Sequence, residues 1–246
     1  MSKLRTFALV AAAAATPALG QSCPAPLGQA VRLVLVTTPD MNSSKARLQL
    51  FKRSSPGAPW SEVSAGEPAM AGTNGLAWGY SFLRYKREGE PEKVEGDKRT
   101  PAGFFPLGPS FGFTAAKLRG HIKVERGETV CVEDTSSPHY NTITTRAKIG
   151  PATKADYMRN SPLFRNGLYV NYASDRSARR GSCIFIHVWK SPTTTTKGCV
   201  ALPEPSVKAL QAFAEGGAAL AVLPETARQR FSGCLPVASA PLPPPN

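Results

Sequence analysis

His187 and Cys199 are the two side chains whose types and spacing can support chemistry. Cys199 lies twelve residues after the histidine, in Thr196-Lys197-Gly198-Cys199-Val200. A loop of that length can fold back and set a thiol beside an imidazole. A neutral imidazole can then take the thiol proton, and the imidazolium holds the thiolate. Lys197 adds positive charge that should lower the thiol pKa further. Gly198 removes a side chain where an acyl group must approach, and backbone N–H groups of Gly198 and Cys199 can stabilise an oxyanion. Read on spacing alone, the same pair also fits a core histidine and a buried structural cysteine.

These groups must be carried by secondary structure. Residues 182–189 alternate as a strand, with Cys183, Phe185, His187 and Trp189 on one face and Ile184, Ile186 and Val188 on the other. Pro192 and four threonines then form a loop that returns the chain to Cys199. Residues 203–215 predict a helix burying Val207, Leu210, Phe213 and Ala214, ended by Gly216-Gly217. Further strands are expected at 31–36, 46–51, 129–133, 168–172 and 218–223, and a short helix at 153–160 capped by Thr153. Residues 84–99 are dense in charge and predict an exposed connection. The fold class is mainly β with a few short helices.

The 246 residues include 30 Lys+Arg, 17 Asp+Glu, 23 Pro and 21 Gly, with 41% hydrophobic residues. That content is too apolar for a disordered chain and too rich in turn formers for a helical bundle. Residues 1–20 predict a signal peptide: Lys3 and Arg5, an apolar run, then Pro17, Ala18 and Gly20 before a cut that leaves Gln21 first. A single domain is expected at 21–234 and a proline-rich tail at 235–246. The chain keeps a strong positive balance after that cut, which favours anionic partners such as wall polymer over nucleic acid, for which no signature is present. No later apolar run predicts stable membrane insertion. With three histidines and no CxxC or HExxH motif, no metal and no cofactor is expected.

Four blocks, taken in order, carry a family resemblance. They are Glu95-Gly96-Asp97-Lys98-Arg99-Thr100-Pro101-Ala102-Gly103, Asp134-Thr135-Ser136-Ser137-Pro138-His139-Tyr140-Asn141, Gly181-Ser182-Cys183-Ile184-Phe185-Ile186-His187, and Thr196-Lys197-Gly198-Cys199. Together they resemble the L,D-transpeptidases of the YkuD type, a resemblance that covers about residues 30 to 223. The chain departs from that pattern at Lys197, where a histidine is usual, at Ala201, and in its shorter His-to-Cys spacer.

The resemblance implies a mixed β-sandwich fold and an exported acyl transferase acting on peptidoglycan stem peptides, with release of D-Ala and a thioester on the cysteine. It implies Cys199 as nucleophile, His187 as general base and then acid, and Gly198 with Cys199 as the oxyanion site. His139, Tyr140 and Asn141 are candidates to line the substrate cleft; the alternative is a turn held by the Asn141 side chain. Lys197 is a candidate partner for a substrate carboxylate. Asp97 and Arg99 are expected to fix a loop, and His121 to be solvated. If Cys199 stays reduced, four cysteines allow three pairings; the expected ones are Cys23–Cys234, at the two ends of the domain, and Cys131–Cys183, on strand candidates. A hydrolase on the same fold and a non-catalytic basic wall-binding module are the competing readings. The sequence leaves the acyl acceptor and the oligomeric state open.

Overall fold

The computed structural model describes residues 23–237. The expected signal peptide and the tail beyond Val237 lie outside the described residues. Thirteen strands follow in chain order: β1 Arg32–Thr38, β2 Lys45–Lys52, β3 Ser61–Met70, β4 Leu76–Trp78, β5 Thr100–Gly112, β6 Ile122–Lys123, β7 Thr129–Val132, β8 Ile143–Thr145, β9 Ala155–Tyr157, β10 Asn166–Val170, β11 Phe185–Val188, β12 Val200–Leu202 and β13 Ala219–Pro224. Two helices, α1 Arg146–Ile149 and α2 Glu204–Ala214, join them with several 3-10 turns. The molecule is mainly β, in keeping with the fold class expected from the sequence.

Ten strands form one sheet in the order β10-β11-β12-β3-β2-β1-β13-β5-β4, with β6 on β5. Because β10 also pairs with β5, the sheet closes on itself, which removes most of its open edges. Strands β7, β8 and β9 make a separate three-stranded sheet. Closure depends on β5, whose 13 residues pair in turn with β4, β13 and β10. Its three prolines lack the N–H a ladder needs: Pro101 lies opposite Ala77 of β4, Pro106 stands where the partner changes from β13 to β10, and Pro109 falls at the register shift between Leu168 and Val170.

Both faces of the central strands are buried. Leu33, Val34, Leu35 and Val36 of β1 are all sealed in the main core, and each such side chain contributes roughly 2 kcal/mol of burial. Strand β11 separates two cores: Ile184, Ile186 and Val188 pack in the main one, and Phe185 joins Phe111, Val124, Cys131 and Met158 in a smaller one. The strand is shorter than the expected 182–189. Helix α2 buries Val207, Leu210 and Gln211, and the Gln211 amide donates to the carbonyls of Phe111 and Gly167 at 2.9 Å each.

One expected helix is replaced by a strand. Residues 155–157 pair with β7 as β9, and the Thr153 hydroxyl donates back to Ile149 O at 2.7 Å, closing α1 rather than opening a new helix. Tyr157 and Ala155, half-buried on either side of exposed Asp156, follow the two-residue period of a strand.

Candidate active site

Strands β11 and β12 run parallel, with His187 beside Ala201 and Ile186 beside Val200. Cys199 stands just before β12, so the two-residue period sets it on the face of Phe185 and His187. One diagonal step, roughly 8 Å between backbones, separates it from His187.

His187 is 5% exposed. Its Nδ1 lies 2.8 Å from Val188 O. A carbonyl only accepts, so Nδ1 carries the proton and Nε2 keeps a lone pair. Burial lowers the imidazole pKa, only partly offset by that hydrogen bond. The ring is therefore neutral at neutral pH, the form a base requires. Phe164 meets it edge to face at 5.3 Å between ring centres.

Cys199 is the free cysteine of the described residues; the structure joins Cys23 to Cys234 and Cys131 to Cys183. The residue is half-buried, with its sulfur on a cavity floor and its S–H directed at Cys183 O, 3.7 Å away. Desolvation pushes the thiol up to about 11, aided by the Glu133 charge and opposed by a Phe185 backbone hydrogen bond and the Lys93 charge. The expected low-pKa thiolate is thus corrected: the resting group is a neutral thiol. The cation acting on it is Lys93, while Lys197 is exposed on the cavity rim.

The turn bearing the cysteine is tied from both sides. The Thr196 hydroxyl accepts from Gly198 N–H at 3.1 Å and donates to Cys199 O at 2.6 Å. Thr100 donates to the same carbonyl at 3.2 Å. Gly198 holds φ of 144°, and a Cβ there would sit 3.2 Å from Arg99 O, so glycine is required by the backbone itself. In the resting structure its N–H is given to Thr196. Among the described residues no hydrogen-bond partner faces the Cys199 N–H.

The cavity above the sulfur measures about 530 Å³. Gly198, Phe164, Phe185 and Ile184 form its inner wall, and Glu95, Glu133 and Asp156 with five cations, Lys93 and Lys197 among them, line the rest. Lys93, 3% exposed, forms an ion pair with Asp97 at 2.5 Å. Asp97 also accepts the N–H groups of Val94 and Arg99, whereas the Arg99 guanidinium binds the carbonyls of Met41 and Leu76. Both fix the loop, but not as a pair. Residues 84–99 are exposed at about half of their positions, and Lys93, Glu95, Gly96 and Lys98 among them also wall the site.

Of the four residues expected to bind substrate, the cavity wall includes Lys197 and not His139, Tyr140 or Asn141. Asn141 holds a turn at φ of 58°; its side chain accepts from Cys183 N–H at 2.9 Å and donates to Tyr172 O at 2.7 Å. Tyr140 is buried behind the wall, its hydroxyl donating to Glu95 at 2.7 Å. Burial and that carboxylate push its pKa up to about 12. His139 is half-buried and donates its N–H to Ser137 Oγ at 3.1 Å. His121 is bonded on both ring nitrogens, to Ser110 Oγ and Thr114 O, rather than solvated. Lys93, Glu133 and Phe164 were not expected at the site. The Lys93/Asp97 pair four residues apart was the one local hint for any of them.

A family model described as the L,D-transpeptidase catalytic domain, YkuD, matches residues 40–222. That span is more than half of the chain and contains both His187 and Cys199. Comparisons with curated proteins and with solved structures give no match.

Proposed function

The chain belongs to the YkuD family of L,D-transpeptidase catalytic domains, and from that premise we propose that it is an exported cysteine acyl transferase acting on peptidoglycan stem peptides. The observation that carries this reading is a free thiol on the floor of a 530 Å³ cavity, on the same sheet face as a neutral, buried histidine.

The first half-reaction follows from the groups present. With a stem peptide in the cavity, its carbonyl carbon before the terminal D-Ala stands over Cys199. Nε2 of His187 takes the S–H proton as Sγ forms the C–S bond, so no free thiolate is needed beforehand. The carbonyl oxygen gains its negative charge against the Cys199 N–H. The C–N bond then breaks, and the departing D-Ala amine takes the proton held by His187. An acceptor amine attacks the thioester in the second half, restoring the thiol and leaving a new amide.

The two disulfides fit an oxidising compartment. Among the described residues no helix is long and apolar enough to cross a membrane. With the leader expected at residues 1–20, these features support action in the periplasm or cell wall by a mature chain starting at Gln21. The positive balance of the chain suits a substrate rich in carboxylates.

The test is D-Ala release from a stem tetrapeptide, with an amide product when a primary amine is supplied. Cys199→Ala should abolish release, and His187→Ala should reduce it by about a hundredfold or more. Equal release by Cys199→Ala would overturn the assignment.

A further inference from the structure

Glu133, directly after β7, stands where two cavities meet. One is the cavity over Cys199; the other, of about 220 Å³, is lined by Asp134 and Thr135 and does not reach the sulfur. Glu133 lines both, together with Glu95, Lys154 and Arg179, and is half-buried. Among the described residues it has neither a hydrogen bond nor an ion pair. The neighbouring carboxylates differ: Glu95 accepts the hydroxyls of Tyr140 and Ser182, and Asp156 is exposed. Lys154 and Lys197 act on Glu133 through their charge alone, so its oxygens keep open acceptor positions that an ammonium N–H of a ligand can fill.

We propose that Glu133 receives the protonated primary amine of the acyl acceptor at this junction and takes its proton for attack on the Cys199 thioester. The inference rests on the thioester reading above and names what completes it. The donor acyl group must lie over the sulfur, and the smaller chamber beside Glu133 offers room for an acceptor. The step balances. The acceptor ammonium gives one proton to Glu133, and its nitrogen forms the C–N bond. The C–S bond breaks, and a second amine proton returns to sulfur through His187. Thiol, amide and neutral Glu133 result, and Glu133 then loses its proton to water. Desolvation and the charges of Asp156 and Glu95 raise the proton affinity of Glu133, against the opposing charges of Lys154 and Lys197, which suits a group that must accept a proton from an amine.

The experiment uses the whole chain, a stem tetrapeptide as donor and glycinamide as acceptor. It measures acylation of Cys199 separately from the ratio of amide to hydrolysis product. Once the acyl-enzyme has formed, Glu133→Gln should partition it with an amide-to-hydrolysis ratio lower by about tenfold or more than the parent's, whatever its rate of acylation. Raising the pH until glycinamide is free base should restore that ratio, and Glu133→Asp should recover part of it at neutral pH. An unchanged ratio in Glu133→Gln overturns the proposal, as does slower acylation with the ratio intact, which would place the donor at Glu133. Failure of the parent to form any acyl-enzyme overturns the thioester reading itself, and the proposal with it.

Discussion

The sulfur of Cys199 is desolvated before it is nucleophilic. A thiol pushed up to about 11 is almost wholly protonated at neutral pH, so reactivity has to come from proton transfer to His187 once a substrate is seated. Alkylation by iodoacetamide, which brings no such complementarity, should therefore be slow near pH 7 and rise only through the alkaline range, well beyond the free-thiol value of about 8.5. A rate–pH profile of Cys199 modification checks this, and a midpoint near or below 8.5 would show a preformed thiolate. Thr196 and Gly198 explain why the nucleophile was legible in the sequence. Their types are dictated by the turn itself, one hydroxyl serving as both donor and acceptor and one backbone at positive φ. Asn141 was less legible. Its positive φ and amide suit a turn as well as a cleft, and a motif records that such a residue is needed without saying which way it faces.

Among the elements, β11 was legible because its alternation coincides with a partition between two cores. Strands β3 and β5 were not. The first carries Gly66 and Pro68 and is largely exposed, and the second reads as three prolines among glycines. Their pairing is set by partners distant in sequence, so tertiary context overrides local propensity. The ordering within residues 84–99 was hidden for a related reason, since some of its charges are paired with groups elsewhere, Glu92 with Arg180 and Glu90 with Arg230. Glu90 shows how. Burial pulls its pKa up, but hydrogen bonds from Arg230, Arg87 N–H and Trp78 Nε1 outweigh this and hold it at about 2. Because the folded pKa lies below the unfolded value of 4.5, the stabilisation is present above that value and is lost as pH falls toward 2. Glu90→Gln should cost on the order of 2 kcal/mol at pH 7, and denaturant titrations should show the gap from the parent closing between about pH 5 and 2. A constant gap across that range would remove the ionised pair from the account.

At the scale of the whole molecule, two disulfides do different work. Cys23–Cys234 spans 211 residues and joins the two ends of the domain at the main core. Cys131–Cys183 spans 52 and pins β7 to the segment whose carbonyl receives the Cys199 thiol. Loop-closure entropy gives roughly 5 kcal/mol for the first and 4 kcal/mol for the second. Replacing Cys23 and Cys234 by serine should lower the melting temperature most while leaving the pH profile of Cys199 alkylation in place. Replacing Cys131 and Cys183 should shift that profile even where the chain stays folded. The reverse pattern would mean that the Cys131–Cys183 bridge does not organise the site. The closed sheet, by contrast, was legible only as a class: hydrophobic alternation predicts strands, and it cannot say that β10 meets β5.

The most direct measurement is the intact mass of the protein quenched in acid during turnover of a stem tetrapeptide, followed by digestion to locate the added mass. The account predicts one acyl group, equal to the tetrapeptide less D-Ala, on the peptide containing Cys199, and none in Cys199→Ala. A parent that turns over without ever carrying that mass, or that carries it on another residue, would contradict it.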